Sequence, residues 1–283
     1  MVKPALNLPD QVYSLIKLAL EEDIGPAGDI TTNSCIPKAQ LGQSTIYAKE
    51  ELVLSGVDIA IAVFQMIDES IDFKILKNDA DHLQPGDAVA KLTGHLHSIL
   101  AGERTALNFL CHLSGVATLT AKFVSASSLK VEITDTRKTT PGLRYLEKMA
   151  VRAGGGTNHR MGLFNDILIK DNHVDICGGV IQAVRYAAIA NPNGIIEVEV
   201  RNLAELAQAV EAGAHTALCD HFSIDELTQA VQKFGNTIQL EASGNISLEN
   251  VNAIAATGVH RISIGALTHS APAADLNMKI IGL

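Results

Sequence analysis

The sequence predicts an α/β protein in which a (β/α) barrel follows a separate, smaller α+β domain. From about residue 130 onward, short β-branched runs alternate with amphipathic helical segments, which is the pattern of a parallel sheet. Polar or glycine residues close these runs. From Glu199 onward the closing residues are 21, 23 and 22 positions apart, the length of one strand, one helix and two loops. Residues 40–115 lack this repeat and alternate over shorter distances.

The α+β domain is predicted to cover residues 1–115. Its first 23 residues place apolar and charged side chains with helical spacing, and a "QPGD" turn lies at 84–87. Three alternating segments predict strands and one long stretch predicts a helix: STIYAKE, FKILKN, AVAKLTG and then ILAGERTALNFLCHL. We expect the C-terminal tail, 271–283, to pack back on this domain.

The barrel is predicted to cover residues 116–270. Six runs predict its strands: VEITDTR, DILIKD, IIEVEV, TALCDH, IQLEAS and RISIGA. Helices are predicted at 203–213 and 224–235, each with a glycine at its C-terminal end. Thr140 and Ser223 are predicted to cap the N-termini of the helices that follow them.

The residues that close the predicted strands are candidates for a functional site, because such residues meet at one end of a parallel sheet. They are Arg137, Lys170, Glu199, Asp220, Ser243 with Gly244, and Gly265. In a barrel this C-terminal end carries the active site. A doubly wound open sheet would place its site there too, but it usually has a glycine-rich loop after the first strand, and "DTRKTTPG" is not one.

The composition of the chain argues against several classes of function. The chain has 283 residues and a net charge of −9, which argues against general binding to nucleic acid or to anionic membranes. No apolar run approaches the ~20 residues of a membrane span, and the N-terminus does not show a signal-peptide core, so we expect a cytoplasmic protein without a membrane partner. Its four cysteines lie far apart and are expected to be reduced and buried.

Positive charge is concentrated between residues 137 and 170, where seven Lys or Arg residues face two acidic ones, a local balance of +5. Arg144, Lys148 and Arg152 recur every four residues and are predicted to form a solvated helix face. The other four are predicted to converge near the strand ends: Arg137, Lys138, Arg160 and Lys170. One phosphate needs fewer cations than this, so two or more anionic groups are indicated.

Two carboxylates are predicted beside these cations. Glu199 and Asp220 close adjacent strands, where paired carboxylates can grip sugar hydroxyls, hold a divalent metal through waters, or act as acid and base. Glu197 lies two residues before Glu199 and therefore points to the same face of the strand. Periodicity alone does not choose between these two glutamates.

Glycine-rich loops follow the last two predicted strands. The segments "EASGNIS" (241–247) and "SIGALTHS" (263–270) occupy the position at which barrels bind phosphate through backbone N–H groups. Among the ten histidines, His159 in the cationic segment is the functional candidate, and His269 near the second loop is a weaker one. The pattern thus predicts a barrel enzyme that acts on a sugar phosphate and a second, multiply anionic partner.

At these residues the sequence resembles the quinolinate phosphoribosyltransferase family. The matching motifs span nearly the whole chain in the family's order: EDIGPAGDITT, ERTALNFL, HLSGVAT, DTRKTTPGLR, GGGTNHRMGLFNDILIKDNH, EVEV, LEASGNI and IGALTHS. The resemblance implies transfer of phosphoribose from 5-phosphoribosyl 1-pyrophosphate to quinolinate, with loss of CO2 and formation of nicotinate mononucleotide and pyrophosphate in NAD biosynthesis. It also implies Mg²⁺ and no organic cofactor.

The resemblance assigns roles to individual residues of this chain. Quinolinate would be bound by Arg137, His159, Arg160 and Lys170. Lys138 would lie near the pyrophosphate, and Glu199 and Asp220 would hold ribose hydroxyls and water-bridged Mg²⁺. Further substrate contacts would come from Thr136, Ser243, Gly244, Asn245, Ile264, Gly265, Ala266 and His269. Catalysis itself would depend on Lys138, Lys170, Glu199 and Asp220.

The resemblance further implies an incomplete barrel with one strand more than the six runs, and a short strand near His159 fits that place. It implies a homodimer with shared active sites, in which Arg104 reaches the quinolinate pocket of the partner subunit. Two alternatives stay open from the residues: a Schiff-base aldolase that uses Lys170, and a non-catalytic anion-binding protein.

Overall fold

The computed structural model describes residues 6–127 and 131–283, and the chain divides into two compact units. The first unit runs up to Leu119 and includes Ala271–Leu283, and the second unit is Thr120–Ser270. The sequence interpretation had placed the boundary at residue 115, four residues earlier.

The first unit is an α+β structure. Its helices are α1 (Asp10–Ile24), α2 (Ile30–Cys35), α3 (Val57–Ile67) and α4 (Leu96–Ser127), of which α4 continues into the second unit. Its strands are β1 (Leu41–Ala48), β2 (Leu52–Val53), β3 (Asp72–Ile75), β4 (His82–Leu83), β5 (Ala88–His95) and β12 (Leu276–Gly282). The three alternating segments of the sequence are confirmed as β1, β3 and β5.

The C-terminal strand belongs to the main sheet of this unit. The sheet is antiparallel, in the order β12, β1, β5, β3, and Ile46 of β1 lies opposite Met278 of β12. Strand β1 alternates exposed and buried side chains, as expected for a sheet with one face on a core. The "QPGD" turn is confirmed, with Asp87 N–H donating to Gln84 O at 3.0 Å.

Helix α4 is the one described helix that is long and apolar enough to cross a membrane by length and composition. Half of its most apolar stretch is buried. Core helices satisfy the same criterion, and Glu103, Arg104 and Lys122 give this helix three charged side chains.

The second unit alternates strands and helices. Its strands are β6 (Glu132–Thr134), β7 (Ile167–Ile169), β8 (Ile196–Val200), β9 (Thr216–Asp220), β10 (Gln239–Ser243) and β11 (Arg261–Ser263). Its helices are α5 (Arg144–Ala153), α6 (Asp171–Cys177), α7 (Val180–Ala190), α8 (Leu203–Ala212), α9 (Ile224–Phe234), α10 (Val251–Ala256) and α11 (Ala266–His269). All six strands predicted for the barrel are present.

These strands form one parallel sheet in the order β6, β11, β10, β9, β8, β7. Beyond β6, Thr157 forms a single parallel bridge with Thr134, which supplies the short strand expected near His159. Within the described residues no ladder joins Thr157 to β7, so the barrel is incomplete.

Helix ends in the second unit follow three of the four sequence signals. Helices α8 and α9 end before Gly213 and Gly235, and Ser223 forms the predicted capping box with α9. The predicted cap at Thr140 is wrong, because the chain first makes a turn in which Leu143 N–H donates to Thr140 O, and α5 begins only at Arg144.

The cysteine expectation is confirmed in part. All four cysteines are free, as expected for separated thiols. Cys219 is buried, and burial raises its pKa to about 12. Cys35 is exposed, so the expectation that all four are buried is wrong.

Candidate active site

A cavity of about 620 Å³ opens at the C-terminal ends of the barrel strands. Every site residue named from the sequence lines it, with the exception of Arg104, which lies on α4 in the first unit. The lining residues that were predicted are Thr136, Arg137, Lys138, His159, Arg160, Lys170, Glu199, Asp220, Ser243, Gly244, Asn245, Ile264, Gly265, Ala266 and His269. Strand-end position selected seven of these residues, and the cationic segment, the glycine loops and the family resemblance supplied the others.

One arginine of the positively charged part of the cavity wall, Arg160, has a buried donor that is available to an anion. Arg160 donates one N–H to Asp166 O at 3.2 Å, but its Nε is buried without a partner among the described residues. Burial, and then the charge of Arg137, lower the pKa of the Arg160 guanidinium below its ordinary value. An anionic ligand would relieve both effects, because it satisfies the free donor and offsets the repulsion between the arginines.

Lys170 directly follows β7 and forms an ion pair across the cavity wall. Its Nζ lies 2.5 Å from Glu199 Oε2, and its side chain stays 44% exposed. A lysine nucleophile for Schiff-base chemistry must be free to attack a carbonyl, whereas the Lys170 Nζ is held by the Glu199 carboxylate. The geometry therefore disfavours the aldolase alternative.

The carboxylate pair lies on neighbouring strands. Glu199 is within β8 and Asp220 is the last residue of β9, and these strands pair in parallel. The Asp220 side chain is one-third exposed, and its Oδ2 lies 3.8 Å from His221 Nε2. Hard carboxylate oxygens that face an open cavity suit Mg²⁺, which keeps several waters and needs only one or two protein carboxylates.

Gly244 and Gly265, one in each glycine loop, lie close to neighbouring side chains. Gly244 has φ +95°, and a Cβ there would lie 2.6 Å from Nδ1 of His221. A Cβ on Gly265 would lie 3.1 Å from both Lys138 Cδ and His269 Nε2. At Gly244 the positive φ and the contact with the His221 ring both favour glycine, whereas at Gly265 a Cβ would press on the Lys138 and His269 side chains.

Below the cavity lies a layer of buried charge. His159 Nε2 is 3.1 Å from Glu197 Oε2 and 3.8 Å from Glu241 Oε1. Arg261 pairs with both glutamates, through Nη2 at 3.5 Å to Glu197 and through Nε to Glu241. The His159 and glutamate atoms are close enough together to suggest a metal cluster, but Arg261 already neutralises these carboxylates, so we assign an ion-pair network.

The two buried glutamates differ in their pKa values. Burial raises the pKa of Glu241 above its ordinary value, and the charge of Glu197 adds to the effect. Burial also acts to raise the pKa of Glu197, but the hydrogen bond and charge of His159 and the charge of Arg261 bring it below its ordinary value. Glu197 thus carries the negative charge of the pair most readily.

Both ring nitrogens of His159 lie next to protein groups, Nδ1 beside Arg160 N–H and Nε2 beside the Glu197 carboxylate. Nδ1 accepts a hydrogen bond from Arg160 N–H at 2.8 Å, which leaves the proton on Nε2, directed at Glu197. The ring therefore faces the cavity with its carbon atoms. The structure also shows which of the two glutamates on β8 reaches the cavity. Glu199 lines the cavity, and Glu197 lies in the layer below.

The prediction of a solvated helix face on α5 is confirmed for Arg152, which is exposed, and is wrong for Lys148. The Lys148 side chain is fully buried and paired with Asp135. Arg144 and Arg152 both donate hydrogen bonds into neighbouring loops. The four-residue repeat was read correctly as one helix face, but that face packs against the cationic loops.

Sequence reasoning missed three titratable residues that line the cavity: Asp171, His221 and Glu241, of which Glu241 is buried at its floor. His221 has φ +57°, which is uncommon for a residue other than glycine, and it directly follows Asp220. Glu241 lies two residues before Ser243, the same spacing that separates Glu197 from Glu199. Period-two spacing back from each strand end could have found Glu241.

A barrel mouth that combines converging cations, two carboxylates and two glycine loops defines an enzyme for phosphorylated, multiply anionic substrates. Comparison with known proteins makes the assignment specific. The sequence-family model for the quinolinate phosphoribosyl transferase C-terminal domain matches residues 116–279. The family model for the N-terminal domain matches residues 29–114. The chain belongs to the quinolinate phosphoribosyltransferase family, whose members are pentosyltransferases.

Related proteins align with this chain over nearly its full length. The probable nicotinate-nucleotide pyrophosphorylase (carboxylating) of Bacillus subtilis is 40% identical and covers 95% of this chain and 93% of its own. The chloroplastic enzyme of that name from Arabidopsis thaliana is 38% identical, over 99% of this chain and 85% of its own. The solved nicotinate-nucleotide pyrophosphorylase of Francisella tularensis superposes with a TM-score of 0.92 at 40% identity, over 99% and 100% of the two chains.

Proposed function

We propose that the cavity transfers phosphoribose from 5-phosphoribosyl 1-pyrophosphate to the ring nitrogen of quinolinate and that the 2-carboxylate then leaves as CO2. The products are nicotinate mononucleotide, pyrophosphate and CO2. The observation that carries the proposal is the partnerless, buried Nε of Arg160 beside Arg137, in the wall of a cavity whose other wall holds two carboxylates. A dianionic acid fits the first wall and a phosphorylated sugar fits the second.

Quinolinate is assigned to the wall formed by Arg137, Arg160 and Lys170. Two carboxylates answer the two guanidinium groups through paired N–H donors, and Lys170 adds a point charge. The carbon face of His159 packs against the ring, because both its nitrogens lie next to protein groups. Arg104 of a partner subunit would complete this wall in a homodimer.

The sugar phosphate is assigned to the wall that holds the glycine loops, Glu199 and Asp220. Backbone N–H groups of the loops at Gly244 and Gly265 bind the 5-phosphate, supported by Ser243, Asn245 and Ala266. Glu199 and Asp220 accept hydrogen bonds from the ribose hydroxyls. Their carboxylates would also hold Mg²⁺ through waters, and the bound metal would neutralise charge on the pyrophosphate.

The reaction follows from these positions. Lys138 lies against Gly265 and stabilises the negative charge that develops on pyrophosphate as it departs. Glu199 and Asp220 face the positive charge that develops on the ribose, while the cationic wall orients the ring nitrogen toward the sugar carbon. After bond formation CO2 leaves and its bonding electron pair stays on ring carbon 2, where the charge of the adjacent quaternised nitrogen stabilises it. A proton taken up from water at that carbon completes nicotinate mononucleotide, so decarboxylation needs no organic cofactor.

The direct test incubates the purified protein with quinolinate, 5-phosphoribosyl 1-pyrophosphate and Mg²⁺. We expect nicotinate mononucleotide, pyrophosphate and CO2 in equal amounts. Arg160→Met should remove the activity, and Arg185→Gln, which changes an exposed arginine of α7, should keep it. Pyrophosphate release without nicotinate mononucleotide would show that water rather than quinolinate is the acceptor. The cytoplasmic location and the homodimer remain predictions from the sequence.

A further inference from the structure

The most unusual charged residue outside the cavity is Lys148, at the centre of α5. Its side chain and that of Asp135 are both fully buried, and Lys148 Nζ donates to Asp135 Oδ1 and, at 2.9 Å, to His159 O. Burial is the main effect on both groups: it lowers the pKa of Lys148 and raises the pKa of Asp135. A buried ion pair is weak evidence for stability, since apolar residues of similar volume often serve as well.

Asp135 connects this pair to both cationic loops. It lies between the end of β6 and the segment Thr136–Lys138, and its Oδ1 also accepts from His159 N–H at 3.0 Å. Its Oδ2 accepts from the Asn158 amide at 2.5 Å, and that amide also donates to Lys148 O at 2.8 Å. The backbone of His159 is thus held at its N–H by Asp135 and at its C=O by Lys148, directly before Arg160.

Arg144, one helical turn before Lys148, spans the same two loops. Its guanidinium donates to Thr139 Oγ1 at 2.9 Å, to Arg137 O at 3.2 Å and to Met161 O at 3.3 Å. The first two acceptors belong to the loop after β6, and the third belongs to the loop of Arg160. Arg144 is not among the residues that line the cavity, and all three of its guanidinium nitrogens donate to the protein.

We propose that Arg144 and the Lys148–Asp135 pair are positioning residues for substrate binding, and that they hold the loops of Arg137 and Arg160 at the separation that a dicarboxylate requires. The need is physical: the two guanidinium groups repel each other, and without fixed backbones they would move apart when no anion is present. Pre-organised cations bind a dianion more tightly because the cost of holding them close together has already been met during folding. The choice of quinolinate as ligand rests on the proposed function; the anchoring of the loops does not.

The first experiment compares Arg144→Gln, Arg144→Lys and the matched control Arg185→Gln. Arg144→Lys keeps the charge but has its donors on a single nitrogen, whereas Arg144 reaches the two loops from three separate nitrogens. We expect both Arg144 variants to raise the quinolinate KM about 10-fold or more, with the KM for 5-phosphoribosyl 1-pyrophosphate within about 3-fold of wild type. A wild-type quinolinate KM in Arg144→Lys, or equal increases in both KM values, would overturn the proposal.

The second experiment does not depend on turnover. Hydrogen exchange followed by mass spectrometry on the ligand-free protein should show about 10-fold faster exchange in the 136–140 and 157–161 segments of both Arg144 variants, with β8 and β9 unchanged. Unchanged exchange in these loops would overturn the anchoring. If wild type makes no nicotinate mononucleotide, the proposed function fails, but the exchange measurement still decides the inference.

The third variant separates positioning from stability. The double substitution Asp135→Asn with Lys148→Met removes both charges and the bond to His159 O without leaving a lone buried ion. We expect an unfolding midpoint near that of wild type together with faster exchange at 157–161. A double variant that is stable and exchanges like wild type would contradict a positioning role for the pair. Lys148→Met alone should unfold at lower denaturant, because it strands the Asp135 charge.

Discussion

Two layers of charge in the barrel use the same residue types for different purposes. Glu199 lines the cavity and pairs with the half-exposed Lys170, whereas Glu197, two residues earlier on β8, is enclosed with His159 and Arg261. A cavity charge can exchange its protein partner for a ligand or water, but an enclosed charge has no replacement for its partner. The charges that line the cavity, which we call the upper layer, are therefore suited to binding. The enclosed charges below them, the lower layer, hold the barrel interior and His159 in place.

The largest expected effect tests whether the upper layer is complete within one chain. Arg104→Ala and Lys138→Ala should each abolish most activity, because each removes a needed cation. In a mixed dimer of the two variants, one site would regain both residues. Random re-association makes about half the dimers mixed with one good site each, so activity should return to roughly a quarter of wild type. The measurement is turnover after joint unfolding and refolding.

This complementation has a clear negative outcome. If subunit exchange is confirmed by mass-tagged chains and activity stays at the level of the separate variants, Arg104 does not act in trans. The cavity wall would then be supplied by the second unit of a single chain.

The next effect separates the two layers directly through the neighbouring glutamates. Glu197→Gln should lower the free energy of unfolding by about 3–5 kcal/mol, because it breaks an enclosed ion-pair network. Glu199→Gln should change it by less than about 1 kcal/mol, since its partner Lys170 is half-exposed. Urea titration of both variants measures the difference.

Activity should respond in the opposite order. Glu199→Gln, like Asp220→Asn, should weaken use of 5-phosphoribosyl 1-pyrophosphate and alter its Mg²⁺ dependence while quinolinate still binds. Loss of quinolinate binding alone, by titration calorimetry, would mean that the two walls have been assigned in reverse.

A smaller effect concerns the charge of the ligand. Nicotinate has one carboxylate and leaves one cation of the Arg137, Arg160 and Lys170 wall unpaired. Arg137 is exposed and Lys170 keeps its ion pair with Glu199, so the loss falls mainly on Arg160, whose Nε is buried. A buried cation left unpaired costs about 2–5 kcal/mol, hence roughly 30-fold or more in affinity relative to quinolinate. Comparable kcat/KM values for the two acids would contradict the assignment of this wall.

The smallest effect is a pH dependence from the lower layer. Because the pKa of Glu241 is raised in the folded state, the folded protein holds the proton more tightly than the unfolded chain. Its contribution to stability is fully present below the ordinary pKa of 4.5 and is lost as pH rises through the folded value, with each pKa unit worth about 1.4 kcal/mol. Wild type should therefore lose stability relative to Glu241→Gln as pH rises above 4.5.

The comparison of wild type with Glu241→Gln removes titrations that both proteins share. Urea unfolding at several pH values supplies the difference in unfolding free energy. A difference that does not change with pH would show that Arg261 keeps Glu241 ionised throughout, despite its burial.

Much of this protein follows from periodicity along the chain. The 21 to 23-residue repeat predicted the parallel strands, and the polar residues at their ends predicted the cavity, because carboxyl ends of parallel strands must meet. The capping box at Ser223 and the glycine after each of α8 and α9 are local signals that tertiary contacts do not override. Those features were therefore visible in the sequence.

Depth within the barrel was decided only by the tertiary structure. Glu197 and Glu199 share a strand face, so no local pattern tells which one reaches the cavity; that depends on how the strands pair and on Arg261, which arrives from β11. The same holds for Lys148, which shows the spacing of a solvated helix face but is enclosed by the loop of His159. A repeat in sequence identifies the residues that share a face, and long-range packing determines what covers that face.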